Sequence, residues 1–262
     1  MDRKKFGSYE NFASVYDAFM DNVPYKEWSN YLIKLLHKHG IKSGILLDLG
    51  CGTGTMTEIL ANAGYDMIGI DNSEDMLQIA TEKNMESDKN ILYLCQDMRG
   101  FELYGTVEAV ISICDSMNYI TNEDDFVQVI RLVNNYLEKD GLFIFDLNTT
   151  YKYETILADN TFAEDRDDIS FIWQNYYDKK SGINEYDLSL FLEAEDGRYD
   201  KYHEVHYQKS YPLDTIKACI EAGGMEFIAA YDAFTTDAPK NDSQRMYIIA
   251  REKYNPNKTY NH

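Results

Sequence analysis

A carboxylate and three alternating glycines stand together in the segment Asp48-Leu49-Gly50-Cys51-Gly52-Thr53-Gly54, directly after the apolar run Ile45-Leu46-Leu47. The run predicts a buried central strand of a parallel sheet, and the glycines predict a turn in which a ligand lies against the main chain. A carboxylate at the end of such a strand repels a pyrophosphate and attracts a cation. Asp48 therefore favours a positively charged ligand over NAD.

A second acid ends the next predicted strand, Asp66–Asp71. An acid at that position accepts hydrogen bonds from both hydroxyls of an adenosine ribose. The dinucleotide fingerprint G-x-G-x-x-G requires a glycine at position 55, where this chain has Thr55. Asp48, Asp71 and the missing glycine together predict a cationic adenosyl ligand.

The pattern Asp48-x-Gly50-x-Gly52-x-Gly54 with Asp71 resembles the S-adenosylmethionine-binding motif of class I methyltransferases. The resemblance implies S-adenosyl-L-methionine as cofactor, and direct in-line transfer of its methyl group to a nitrogen or oxygen of a small molecule, an amine among the candidates. It is closest to bacterial enzymes of unassigned substrate and weaker to N-methyltransferases of nucleotide-linked amino sugars.

The resemblance also implies a set of cofactor contacts. Asp97 would accept the adenine amino proton and the main chain of Met98 would bind the ring, while Met76 would pack on the adenine or in the core. Cys51 is a small residue that fits the turn, and a nucleophilic role is its alternative. The full set is Tyr9, Tyr16, Trp28, Asp48, Gly50, Cys51, Gly52, Gly54, Asp71, Asn72, Met76, Asp97, Met98 and Cys114.

Aromatic residues near the N-terminus resemble the helical flap of small-molecule methyltransferases. In that family the flap aromatics close over the sulfonium, and ring faces attract such cations. Tyr9, Tyr16 and Trp28 are the candidates here. The alternative is an amphipathic helix packed on the sheet, which is the preferred interpretation for Phe12 and Phe19.

The fourth predicted strand ends in Cys114-Asp115-Ser116-Met117-Asn118-Tyr119, where the resemblance places the acceptor. Asp115 would either contact or deprotonate the acceptor, or cap the following turn. Tyr119 is predicted to be a buried aromatic with a bonded hydroxyl, with a catalytic role as the alternative. His206 would act as a base or ligand, or be bonded structurally on a strand. The amino-sugar enzymes have histidine in place of Tyr119, which argues against a sugar amine.

The chain is strongly acidic, with 45 acidic against 25 basic residues and a formal charge of −20. Nucleic-acid-binding proteins cluster lysine and arginine to neutralise phosphates, so a nucleic-acid partner is not expected. The four cysteines lack metal-ligand spacing, which predicts reduced thiols and no metal site. No signal peptide or membrane span is expected, which predicts a cytoplasmic protein. The oligomeric state stays open.

Alternating strand and helix patterns predict an α/β fold with a parallel doubly wound sheet, and short aromatic-rich runs predict an antiparallel β-meander. The resemblance implies that the fold is a seven-stranded Rossmann-like methyltransferase sheet with helices on both faces and that the meander is an inserted lid. The flap and cofactor-binding core would occupy residues 1–150, the lid 151–210, and the closing helix and antiparallel edge strands 211–252. Predicted strands lie at 45–49, 66–71, 91–95, 107–114, 142–147, 169–178, 183–193, 201–209, 225–232 and 244–250. Predicted helices lie within 8–38, in two pieces divided by Pro24, and at 56–63, 74–84, 123–137 and 212–221.

Two other classes of function fit parts of the sequence. A non-catalytic S-adenosylmethionine-binding regulatory protein would share the motif, although a flap, a ligand turn and a lid together are what a closed active site needs. An NAD-dependent oxidoreductase is the least favoured, because the third glycine of its fingerprint is missing.

Overall fold

The structure is a computed structural model that describes residues 16–17, 24–87, 89–194, 196–254 and 258. The α-helices of the described chain are α1 (Tyr25–Lys38), α2 (Thr55–Asn62), α3 (Glu74–Ser87), α4 (Glu123–Tyr136) and α5 (Leu213–Ala222), and a short 3₁₀ helix (Ser116–Tyr119) and a π-helix (Lys152–Leu157) also occur. Its strands are β1 (Ile45–Leu49), β2 (Asp66–Asp71), β3 (Leu92–Cys95), β4 (Val107–Ser112), β5 (Leu137–Asn148), β6 (Thr161–Asp165), β7 (Ile169–Asp178), β8 (Ile183–Glu193), β9 (Tyr199–Lys209), β10 (Met225–Asp232) and β11 (Arg245–Glu252).

Seven strands form the main sheet, in the order β10-β11-β5-β4-β1-β2-β3. β1 pairs in parallel with β2 and with β4, and β2 pairs in parallel with β3. Side chains that point to both faces of β1 are buried, since Leu46, Leu47 and Leu49 have no exposed surface. The predicted α/β class is confirmed, and the glycine turn leaves the sheet from this central strand.

Most predicted elements agree with the structure to within a few residues. β1 and β2 have the predicted bounds, and the hydroxyl of Ser73 accepts the N–H of Met76 at 3.3 Å at the start of α3, as predicted for a cap. β5 begins earlier than predicted, at Leu137. The polar residues that follow Leu137 carry no apolar run, so the sequence pattern did not mark the start of this strand.

The described chain divides into two compact units. The first comprises the described residues of 1–113, 132–144 and 251–262, and it contains the glycine turn. The second comprises 114–131 and the described residues of 145–250, and it contains the inserted sheet. No helix in the part of the chain that the structure describes is long and apolar enough to cross a bilayer.

The inserted sheet has four antiparallel strands in the order β6-β7-β8-β9. Alternate side chains point to opposite faces. On one face Tyr186, Leu190 and Leu192 are buried, whereas Tyr176 and Tyr207 on the other are about half exposed. β7 and β8 have the predicted bounds. β6 was not predicted, because its side chains are mostly exposed and show no apolar alternation.

Gly69 in β2 has no room for a side chain. A Cβ there would lie 2.6 Å from Cδ1 of Tyr93 and 3.0 Å from Sγ of Cys51 in the glycine turn. We expect Gly69→Ala to lower the free energy of unfolding by about 1–3 kcal/mol, as overpacked interiors do. Urea denaturation followed by circular dichroism measures the change.

The matched control is Gly100→Ala, since an added Cβ at Gly100 meets nothing within 4 Å and the backbone there does not have positive φ. We expect a change within about 0.5 kcal/mol for this exposed site. Equal stability of the two variants would contradict the packing of Tyr93 against Gly69.

Candidate active site

Three glycines with positive φ carry the chain from β1 into α2. Gly50, Gly52 and Gly54 have φ of +82°, +54° and +74°. Gly54 precedes the first residue of α2, and a Cβ there would overlap the hydroxyl of Tyr93, so both backbone and space require glycine. A Cβ at Gly52 would meet no described atom within 4 Å beyond its neighbours. The main chain at Gly52 is therefore open to a ligand.

Asp48 is buried at the end of β1, with 1% of its surface exposed. The hydroxyl of Thr57 donates to its Oδ2 at 2.6 Å, while Oδ1 has no hydrogen-bond partner among the residues that the structure describes. Burial raises the pKa of Asp48 to about 7, and the nearby Asp71 adds to the effect. A cation bound beside this carboxyl would favour its charged form.

Asp71 organises the turn that lies beside β1. Its Oδ2 accepts the N–H of Gly52 at 2.8 Å, and its Oδ1 accepts the N–H of Ser73 at 2.9 Å. Each carboxylate oxygen retains a second lone pair, which suits the ribose hydroxyls predicted for it. The next residue, Asn72, is exposed, and Met76 in the first turn of α3 is partly buried.

Asp97 and Met98 follow β3 in a turn, and both are partly exposed. The carboxylate of Asp97 accepts the backbone N–H of Arg99 at 2.8 Å and also pairs with its guanidinium. This side-chain pairing lowers the pKa of Asp97. The carboxylate is therefore charged at neutral pH and is held in one orientation.

The environment of Cys51 in the glycine turn does not favour a nucleophilic thiolate. Burial raises the pKa of its thiol well above the ordinary value, and the neighbouring Asp48 and Asp71 raise it further. The thiol is therefore protonated at neutral pH and poorly reactive. This observation supports the interpretation of Cys51 as a small residue that fits the turn.

A polar network at the glycine turn was missed by the sequence reasoning. Asp17 accepts the hydroxyl of Thr53 at 2.6 Å and the ammonium of Lys83 at 3.0 Å, and Lys83 also donates to the hydroxyl of Thr55 at 2.8 Å. Thr53 and Thr55 flank Gly54. Hydrogen bonds thus join the short helical stretch of Tyr16 and Asp17 to the glycine turn.

The aromatic residues of the predicted flap have different environments. Trp28 lies in α1, is 7% exposed and contacts the ring of Tyr25 edge to face at 6.3 Å between centroids. Core packing, the alternative given for such aromatics, is thus observed for Trp28. Tyr16 is partly buried, and Tyr9 lies outside the described residues together with Phe12 and Phe19.

In the second unit, an ion cluster forms around Arg245 of β11. Its Nη1 lies 2.5 Å from Oδ2 of Asp146, and its Nη2 lies 2.6 Å from Oδ1 of Asp115. Burial disfavours the charge on Arg245, but the two carboxylates outweigh burial and raise its pKa well above the ordinary value. Gln208 of β9 donates to the other oxygen of Asp115 at 2.8 Å. Nothing in the sequence near Asp115 predicts Arg245.

Asp115 does not cap the turn that it precedes, because its side chain makes no capping hydrogen bond there. Cys114 and Asp115 instead have φ of +58° and +56°, a left-handed conformation that costs about 1–3 kcal/mol for each such residue. The N–H of Asp115 donates to Asp146 at 2.7 Å and helps to hold this backbone. Strain maintained in this way is typical of functional segments.

Tyr119 and His206 lie together in the second unit. Their rings meet edge to face with centroids 5.9 Å apart, and Nε2 of His206 lies 2.9 Å from Oε2 of Glu204. The prediction that Tyr119 is buried was wrong, since it is 48% exposed at the end of a short 3₁₀ turn. His206 and Gln208 share a face of β9, so the structure brings Asp115, Tyr119 and His206 into one neighbourhood.

The glycine turn and the acids beside it fit the cationic adenosyl compound S-adenosylmethionine. The open main chain at Gly52 admits a ligand, the unpartnered Oδ1 of Asp48 suits its positive charge, and the carboxylate of Asp71 has lone pairs for a ribose. Fold and site thus define a protein that binds a positively charged nucleoside next to its central strand.

Comparison with known proteins agrees with this class. The family of Methyltransferase domains matches residues 46–141. YqeM, a candidate methyltransferase of Bacillus subtilis (strain 168), is 34% identical over 247 residues, 93% of this chain and 97% of its own length. A solved S-adenosylmethionine-dependent methyltransferase from Clostridium acetobutylicum ATCC 824 is 26% identical with a TM-score of 0.83, over 94% of this chain and 99% of that one. CalS10, an amino pentose methyltransferase of Micromonospora echinaspora solved with bound S-adenosylmethionine, has the same fold at 15% identity and a TM-score of 0.73, over 97% and 100% of the two chains.

The chain therefore belongs to the class I S-adenosylmethionine-dependent methyltransferases, and S-adenosylmethionine is its cofactor. Because the chain belongs to this family of enzymes, the two alternative functions, an NAD-dependent oxidoreductase and a non-catalytic binding protein, are excluded.

Replacing Asp71 tests the donor site. We expect Asp71→Ala to weaken the binding of S-adenosylmethionine by at least about 10-fold, because hydrogen bonds to a charged acceptor are worth about 1.5–3 kcal/mol. Isothermal titration calorimetry measures the affinity. Asp75→Ala is the matched control, since Asp75 is an exposed acid in the same first turn of α3. Unchanged affinity in Asp71→Ala would contradict the placement of the ribose.

A double-mutant cycle tests the network of Asp17 and Lys83. We expect Asp17→Asn and Lys83→Met to be non-additive in the free energy of unfolding measured with S-adenosylhomocysteine bound, with a coupling of about 0.5–1 kcal/mol. The expected value is modest because the side chains are 36% and 28% exposed. The exposed pair Asp214 and Lys217 on α5 gives the control cycle. A coupling no larger than in the control would show that Asp17 does not hold the glycine turn.

Proposed function

We propose that this methyltransferase modifies a nitrogen or oxygen atom of a small molecule. When bound, the cofactor supplies an electrophilic methyl group on a positively charged sulfur. The residues of the chain then have three tasks: to hold the donor, to orient the acceptor, and to remove the proton that a nitrogen or oxygen acceptor releases. Alignment of the reacting atoms and exclusion of water can lower such a barrier by about 7–11 kcal/mol.

The pair of His206 and Glu204 is the observation that carries this proposal. A hydrogen bond of 2.9 Å between Nε2 of His206 and the carboxylate fixes the orientation of the ring, and a carboxylate stabilises the imidazolium that proton uptake produces. The exposed edge of Tyr119 beside this ring adds a hydroxyl group for the acceptor. We assign proton removal to His206, with Tyr119 as an acceptor contact.

Asp115 takes a different role in this proposal. Arg245 and Gln208 occupy one oxygen each of its carboxylate, yet 21% of its side chain is exposed. The carboxylate of Asp115 is paired with Arg245, and its remaining lone pairs can accept a hydrogen bond from an acceptor amine or hydroxyl. We therefore assign it to acceptor binding rather than to proton removal.

Charge and likeness favour an amine among the acceptors. The formal charge of −20 attracts a cationic small molecule and repels a nucleic acid. CalS10, which shares the fold, is an amino pentose methyltransferase. The resemblance to amino-sugar enzymes nevertheless implies a histidine at the position where this chain has Tyr119. All four cysteines are free, which suits an enzyme of the reducing cytoplasm.

Transfer of isotopically labelled methyl groups from S-adenosylmethionine to fractionated metabolites identifies the acceptor. With that acceptor, we expect His206→Asn to lower kcat by about 100-fold or more, because positioned general bases contribute that much. His203→Asn is the matched control. His203 lies on β9 like His206, but on the opposite face of the strand, and it pairs with Asp187 of β8 at 2.8 Å.

Two outcomes of these experiments would contradict the proposal. Labelling of a carbon atom or of a macromolecule, with no labelled small molecule, would exclude the proposed acceptor class. Equal kcat in His206→Asn and His203→Asn would exclude His206 as the base and leave the class intact.

A further inference from the structure

A cavity of about 430 Å³ lies within the second unit, between the start of the segment after β5 and the loop that joins β10 to β11. Lys152, Lys240 and Arg245 line it, together with the carboxylates of Asp232 and Asp242. Its volume is within the range of small-molecule sites, about 300–1,000 Å³. Three cations and two acids line it, and one of the cations, Arg245, is itself paired with Asp115 and Asp146.

The walls of the cavity are bonded to each other. The hydroxyl of Thr149 donates to the carbonyl of Ser243 at 2.5 Å, and the N–H of Thr149 donates to the carbonyl of Gln244 at 3.1 Å. The N–H of Lys240 donates to the hydroxyl of Ser243 at 2.8 Å. The two lysines are therefore carried by backbone segments whose relative position is set by hydrogen bonds, as a preorganised site requires.

The same loop contains backbone strain. Phe234, which also lines the cavity, has φ of +63°. A left-handed conformation is rare for a bulky side chain and is maintained only where the surroundings enforce it. The ring of Phe234 packs on Tyr247 at 6.0 Å between centroids, which anchors the strained residue.

Lys152 is the side chain of the cavity whose environment best fits a bound anion. Its ammonium donates to the amide oxygen of Asn148 at 2.9 Å, but no carboxylate lies within ion-pair distance of it among the described residues. Burial lowers the pKa of Lys152 and Arg245 lowers it further, whereas Asp115 and Asp146 raise it in part. A largely buried amine whose hydrogen-bond partner is neutral gains from an anion bound directly to it.

The other charged groups of the cavity leave Lys152 available. Arg245 is committed to Asp146 and Asp115 through its two ion pairs. Oδ1 of Asp232 accepts the N–H of Ala233 at 3.1 Å, and Asp242 is exposed. The exposed Lys240 provides a second positive charge on the cavity wall.

We propose that this cavity is a binding site for a small organic anion, whose carboxylate or phosphate group pairs with Lys152. The proposal does not depend on the identity of the methyl acceptor or on the role of His206. The shared chemistry is a compact oxyanion on a molecule small enough for the cavity.

Titration of inorganic phosphate and, separately, of succinate into the full-length protein tests the site. Calorimetry at constant ionic strength, with sodium chloride as the reference salt, measures saturable binding. We expect at least one of the two anions to bind, and Lys152→Met to weaken that binding by about 10-fold or more, as loss of a charged partner does. Lys152→Arg keeps the positive charge and should retain most of the affinity.

Lys217→Met is the matched control, because Lys217 is a lysine of α5 outside the cavity. Binding of S-adenosylhomocysteine by Lys152→Met with unchanged affinity shows that the variant is folded. Binding of phosphate alone or of succinate alone supports the site and identifies the group that it takes. Absence of saturable binding for both anions, or equal weakening in Lys152→Met and Lys217→Met, would overturn the proposal.

Discussion

A carboxylate buried at the end of the central strand is the constraint on which the donor site depends. Asp48 has one oxygen bonded by Thr57 and one without a donor, and burial raises its pKa to about 7. A raised pKa in the fold means that ionisation destabilises it. The penalty is absent below the ordinary pKa of 3.8 and is complete above pH 7. A bound cation offsets the penalty, so a positively charged methyl donor suits this turn and a pyrophosphate does not.

The second unit also contains a buried carboxylate, and there a guanidinium of the chain itself neutralises it. Asp146 is fully buried, as Asp48 is, but the guanidinium of Arg245 lies 2.5 Å from it. Removal of one partner from such a buried pair costs about 3–5 kcal/mol, since a charge is left unpaired. Arg245 also holds Asp115, whose strained backbone is bonded to Asp146. The cluster therefore maintains the geometry of a segment that would not be stable alone.

Local patterns explain which parts of this picture were predictable. The apolar run of β1, the glycines after it and the acid at Asp71 are neighbours in sequence, so they indicated a parallel sheet and a cationic adenosyl ligand, and their resemblance to a known motif indicated the cofactor. Arg245 meets Asp146 and Asp115 across 99 and 130 positions, and Lys83 meets Asp17 across 66. No periodicity encodes pairs at such separations. Tyr119 was predicted to be a buried aromatic with a bonded hydroxyl, because a tyrosine ring is apolar and its hydroxyl finds a partner when buried. Its neighbour His206 comes from a strand far along the chain, which nothing near Tyr119 indicates.

The alternation of side chains along β9 separates two histidines that composition alone cannot distinguish. His203 and His206 each pair with a carboxylate at 2.8 and 2.9 Å, so neither the residue type nor the partner type assigns a role. Their parity differs, and consecutive side chains of a strand point to opposite faces. His206 shares its face with Gln208, which bonds Asp115, while His203 shares its face with the half-exposed Tyr207. The position of the residue in the strand is therefore the reason for proposing His206 rather than His203 as the proton acceptor, and a shift of the register by a single residue would exchange the two histidines.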